Sequence, residues 1–184
     1  MLMQRLNDLV KKGYTLTDFE HEQALACDWT LEGERAEEKD RFRDVYIERV
    51  EKEAEAFIQS EEPPFLQEPL TYVKNHKNEF IYIESPWFDI VQIDGVAIEW
   101  DDVFQTYTAL FGFMRRKKET GKLKEILSDV KGAQLQFNGQ DGLFEMNLQL
   151  LEIGEIKEEM ALAEVLSHLY QFLFQVVLKL ESDK

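Results

Sequence analysis

Residues 79–102 read EFIYIESPWFDIVQIDGVAIEWDD, and the spacing of apolar residues along them decides the fold. Residues 79–84 are β-branched and aromatic, Ser85-Pro86 interrupts them, and residues 87–93 resume an apolar run. Asp94-Gly95 tolerates the positive φ that a two-residue hairpin turn requires, and residues 96–100 run back. The stretch reads as a three-stranded meander whose second turn is Asp94-Gly95. Asp101-Asp102 place carboxylates where the first turn of a helix leaves N–H groups unpaired, so a helix is expected next.

Working outward, Leu2, Leu6, Leu9 and Val10 form an amphipathic stripe that Gly13 closes. Thr17 and Glu20 have capping-box spacing and start a second short helix, to about Cys27. From about Leu31 to Ser60 the charge pattern predicts one long helix, with Phe42, Val45, Tyr46, Val50 and Phe57 as a narrow apolar seam. Pro63-Pro64 ends it, and Pro69 opens a brief helix through Lys74. Beyond Asp101 the expected helix carries Val103, Tyr107, Leu110, Phe111 and Met114 on one face, and residues 123–127 suggest another short one. Residues 133–137 and 143–151 read as strands joined by the glycine-rich turn 138–142.

The final helix, from about Glu155 to Leu180, carries two apolar rows. One runs from Leu162 to Leu180, and Ala163, Tyr170, Phe174 and Leu178 stand beside it. Together they cover roughly 240° of the helix at about 100° per residue, more than packing on one sheet needs. Tyr170, Phe174 and Leu178 are therefore a candidate interface, covered by the long charged helix or, favoured slightly, by a second copy. The fold class is α+β: a mainly antiparallel sheet of about five strands with helices on one face. Residues 1–62 form a helical N-terminal region and 63–184 the α+β core, together one compact domain.

Acidic residues outnumber basic ones by 37 to 21, a net charge of −16 that opposes binding to nucleic acid or to anionic membrane surfaces. No run approaches the roughly 20 apolar residues that span a bilayer, and the N-terminus lacks the apolar core of a signal peptide. With a single cysteine, Cys27, no intrachain disulfide is possible, and a cytoplasmic location is expected.

Phosphate-loop, dinucleotide-binding and nucleophile-elbow spacings are absent. Glu164 and His168 share the polar face of the last helix with Gln171, which reads as a solvated pair. Asp89, Asp94, Glu99, Asp101 and Asp102 cluster around the meander, where turn and cap roles account for them; no metal site is assigned. Trp87, Trp100, Phe104 and Tyr107 are a candidate aromatic pocket, with core packing as the alternative. Arg115, Arg116, Lys117 and Lys118 are a candidate patch for an acidic ligand or partner, at a position where a helix C-terminus also favours cations.

The runs 65–70 (FLQEPL), 75–82 (NHKNEFIY) and 100–104 (WDDVF) resemble an uncharacterised family of small cytosolic bacterial proteins, over most of the chain. Some members carry a branched-chain aminotransferase label. That label implies pyridoxal phosphate, whose chemistry needs a Schiff-base lysine, a phosphate cup and a partner for the pyridine nitrogen. Lys74 or Lys77 is the nominal lysine, but neither has a cup beside it, so no cofactor and no catalytic residue is assigned. The leading expectation is a non-catalytic protein acting through association, as a homodimer. The alternatives are a small-molecule enzyme built on the aromatic pocket and an acidic inhibitor or immunity-type protein for a cationic partner.

Overall fold

A computed structural model describes residues 1–31, 33–38 and 41–182. The N-terminal helices are α1 (Leu2–Lys11) and α2 (Asp18–Ala26), followed by strands β1 (Tyr46–Glu51) and β2 (Ala56–Glu61). Next come α3 (Thr71–Asn75), β3 (Glu79–Glu84), α4 (Pro86–Val91), β4 (Val96–Asp101) and β5 (Thr106–Phe113). The chain continues through α5 (Thr120–Ile126), β6 (Gln134–Asn138) and β7 (Leu143–Gln149) to α6 (Leu162–Ser182).

All strands join one antiparallel sheet of seven, in the order β2-β1-β3-β4-β5-β7-β6. The α+β class stands, with seven strands where about five were expected. Alternate strand residues bury one face: Ile81, Ile83, Ile98, Ala109, Phe113, Phe144 and Met146 are each at most 1% exposed. That face shares one buried core with α4 and α6, α3 contacts β3 and β4, and α1 contacts both α4 and α6. The capping box of α2 forms as expected, Thr17 N–H donating to Glu20 Oε2 at 2.8 Å.

Several expectations are corrected. Residues 87–93 are not a strand, because Ser85 Oγ accepts from Trp87 N–H at 3.4 Å and Pro86 sits in the first turn, which starts α4. Gln92, at φ 62°, closes that helix. Strand β3 therefore pairs directly with β4, Phe80 opposite Glu99 and Ile83 opposite Val96, and Asp94-Gly95 leads into β4 without forming a hairpin turn. Gly95 has no positive φ; it lacks a side chain because the Tyr82 ring occupies that space.

The helix expected from Asp101 is instead the β4–β5 hairpin. Asp101 Oδ1 accepts from Val103 and Phe104 N–H at 2.8 and 2.9 Å, and Gln105 takes φ 52°. The long helix expected over 31–60 is likewise replaced, over its described second half, by the β1–β2 hairpin; residues 32, 39 and 40 lie outside the described part. Glu51 accepts from Ala54 N–H at 2.7 Å and Glu55 takes φ 49°, so the two turns share one design. The N-terminal region thus contributes two strands to the common sheet. Helix α6 begins at Leu162, later than expected, after a turn-rich segment over 150–161.

Candidate functional site

The face of the sheet turned away from α4 and α6 is the first candidate. Register places Glu48 opposite Tyr82, Phe80 opposite Glu99, Tyr82 opposite Ala97 and Ala97 opposite Leu110, all on this side. Phe80, Tyr82, Ala97 and Leu110 are only partly buried, although they occupy central strands. A solvated sheet face ordinarily carries polar residues at such positions, so an aromatic and aliphatic centre is unusual.

Around that centre stand Glu48, Glu84, Glu99, Asp101 and Glu145 on the outward strand positions. Among the described residues no outward strand position carries Lys or Arg; Lys52, from the β1–β2 turn, reaches Glu99 at 3.3 Å. Tyr82 donates to Glu84 at 3.0 Å, and the Tyr46 hydroxyl bonds Glu48. Burial, then the neighbouring Glu84, Asp94 and Glu48 carboxylates, push the Tyr82 phenol up to about 12. Tyr46 shifts the same way, chiefly through its bond to Glu48. The phenols therefore sit in a negative field and remain protonated donors.

A second candidate lies beside α6. A cleft of about 480 Å³ is lined by Glu164, Ser167, His168 and Gln171 of the helix, with Glu38 and Gln67 as further walls. Spacing by three and four residues puts the helix residues on one stripe. Glu164 accepts from Ala161 N–H at 3.1 Å, and Ser167 is 6% exposed. Glu38 is held from behind by Arg41, whose Nε and Nη2 donate to its two oxygens at 3.0 and 3.1 Å, while Gln171 adds a bond at 3.3 Å. Burial raises the Glu38 pKa, but the bond and charge of Arg41, with the Thr17 and Ser167 hydroxyls, outweigh it and hold the carboxyl below its usual range.

Arg41 belongs to a buried box. Its guanidinium lies 4.4 Å from the ring centroids of both Trp87 and Tyr170, and it donates to Glu20 at 2.7 Å and to Thr17 at 2.6 Å.

The residues singled out from sequence are dispersed. Trp87 packs with Tyr14 and Tyr170, whereas Trp100 stacks edge-on against Tyr107 with centroids 5.0 Å apart, in another ring cluster. Phe104 is 59% exposed on the β4–β5 turn. The four do not converge, because Trp87 moved onto a helix and Phe104 onto a turn.

Tyr170 and Phe174 are fully buried, met by Phe19 of α2 at centroid distances of 6.2 and 5.2 Å; Leu178 is partly buried. Within the surplus row of α6, Tyr170 and Phe174 are thus covered inside the chain by Phe19 of α2, which spacing did not identify, and Tyr170 also by Arg41, which belongs to the 31–60 segment named as the intrachain alternative. Arg115 is 7% exposed and lies 3.5 Å from Glu181, while Arg116, Lys117 and Lys118 remain exposed. Lys74 and Lys77 approach Glu158 at 3.9 Å and Asp102 at 3.4 Å, and both lie over the Trp100 ring.

Among the described residues, no group of three or more His, Cys, Asp or Glu side chains is arranged to hold a metal ion, and no helix is long and apolar enough to cross a membrane. Comparison with protein-family models, curated proteins and solved structures finds no match.

Proposed function

We propose that this chain is a non-catalytic binding protein that docks a cationic protein onto the uncovered face of its sheet. The observation that carries the reading is the composition of that face, where outward carboxylates surround Phe80, Tyr82, Ala97 and Leu110 without a strand-borne cation. Apolar contacts at the centre supply burial on binding, and the acidic rim steers and orients a basic partner. A second copy is a poorer occupant, since it would bring the same −16 charge to the interface. Tyr170 and Phe174, the bulk of the row that would have supported a homodimer, are buried inside the chain.

The test pairs two charge reversals of equal size. Glu48→Lys with Glu84→Lys alters the face, and Glu22→Lys with Glu159→Lys alters exposed positions elsewhere. Immobilised wild type and control should capture the same basic protein from lysate of the source organism, and the face variant should lose it. Capture that survives in the face variant, or is lost equally in both, refutes the reading.

A further inference from the structure

The cleft beside α6 is separate from the sheet face and plays no part in the docking just described. Its lining is rich in acceptors: two carboxylates, the amide oxygens of Gln67 and Gln171, the Ser167 hydroxyl and the His168 imidazole. The guanidinium of Arg41 stands behind Glu38, already committed to both of that carboxylate's oxygens and to Glu20. The positions of the two carboxylates are set in advance, Glu38 by Arg41 and Gln171, Glu164 by the backbone of Ala161. Ala161 and Ala163 contribute methyl groups to the same wall. At about 480 Å³ the space is that of a small-molecule pocket.

From this geometry we infer that the cleft binds an aliphatic amine of the polyamine class. An ammonium group carries donors and no acceptor, which matches a lining of acceptors, and its charge is complementary to Glu164 and Glu38. The alkyl chain of such a ligand lies along Ala161 and Ala163. Glu38, exposed and kept ionised by Arg41, provides a fixed anion at one end, and Glu164, likewise exposed, provides the other. A diol of the same length would offer the same methylenes without the charge, and the site gains little from it.

The experiment is calorimetric titration of the full chain with spermidine, with 1,8-octanediol as the uncharged probe, at physiological salt so that diffuse attraction to the acidic surface is screened. The expected result is a single saturable site for spermidine and no heat from the diol. Glu164→Gln keeps an acceptor for Ala161 N–H and should weaken spermidine about tenfold, the scale of one lost charge-assisted bond. Glu155→Gln, an equal charge change at an exposed position outside the cleft lining, should leave it unchanged. Ser167→Met should block the site, with a thermal melt to establish that this buried substitution still folds. Absence of a saturable site overturns the proposal, as does a loss that is the same in Glu164→Gln and Glu155→Gln. Binding that ignores Glu164→Gln does so as well, whatever Ser167→Met does.

Discussion

Arg41 Nη1 donates to Glu20 Oε1 at 2.7 Å with both side chains fully buried, so α2 and the segment before β1 are locked together by charge inside the core. Removing one partner leaves the other charge buried and uncompensated. Arg41→Met should therefore cost about 3–5 kcal/mol, more than its lost packing, and Arg41→Met with Glu20→Gln should recover part of that loss. Urea unfolding of the single and double variants checks this; a double variant less stable than the single would contradict it.

Gly95 sits under the Tyr82 ring, where an added Cβ would lie 2.5 Å from the hydroxyl oxygen. Gly95→Ala should cost about 1–3 kcal/mol through overpacking, with no contribution from backbone φ. The cost should largely vanish when Tyr82→Ala is already present, because the two positions share one contact. Additive effects in equilibrium unfolding would show that the penalty arises elsewhere.

Glu181 accepts from Leu2 N–H at 2.6 Å and from Arg5 at 3.0 Å, tying the last helix to the first. Burial raises its pKa, yet the Leu2 bond and the Arg5 and Arg115 charges outweigh this, and the folded value lies below the ordinary one. A depressed carboxylate contributes stability that is complete above its unfolded pKa and is lost as pH falls through the folded value. Melting temperatures of wild type and Glu181→Gln should therefore differ most near neutrality and converge on acidification below about pH 4. Parallel curves would remove this pair from the acid response.

Phe174 is fully buried and Leu178 only partly so. Phe174→Glu should abolish cooperative unfolding, since it places an unpaired carboxylate in the core, while Leu178→Glu should give a folded protein of reduced stability. A folded monomer produced by Phe174→Glu from a wild-type dimer would contradict the intrachain placement.

The elements legible in the sequence were those with local, redundant signals. The Thr17–Glu20 box, the β6–β7 hairpin with its glycine-rich turn and the long apolar stripe of α6 all formed where spacing and caps agreed. The two helices that proved to be hairpins share one physical cause. At the ends of the β1–β2 and β4–β5 turns the left-handed positions are occupied by Glu55 and Gln105, so no glycine or asparagine announced a reversal. Without that punctuation Tyr107, Leu110, Phe111 and Met114 satisfied helical spacing, although Tyr107, Ala109, Phe111 and Phe113 bury with the period of a strand. The acidic face was invisible for the same reason. Glu48, Tyr82, Ala97 and Leu110 share a side of the sheet only once strand register is known, and Glu48 had been read as part of a helix.

The association rate constant of the captured basic protein tests the central claim most directly. At low ionic strength Glu48→Lys with Glu84→Lys should slow association about tenfold or more, against little change for Glu22→Lys with Glu159→Lys. The gap should narrow as salt approaches 1 M and screening shortens the field to about 3 Å. Equal slowing by both pairs, or rates indifferent to salt, would mean that the open face of the sheet is not where the partner docks.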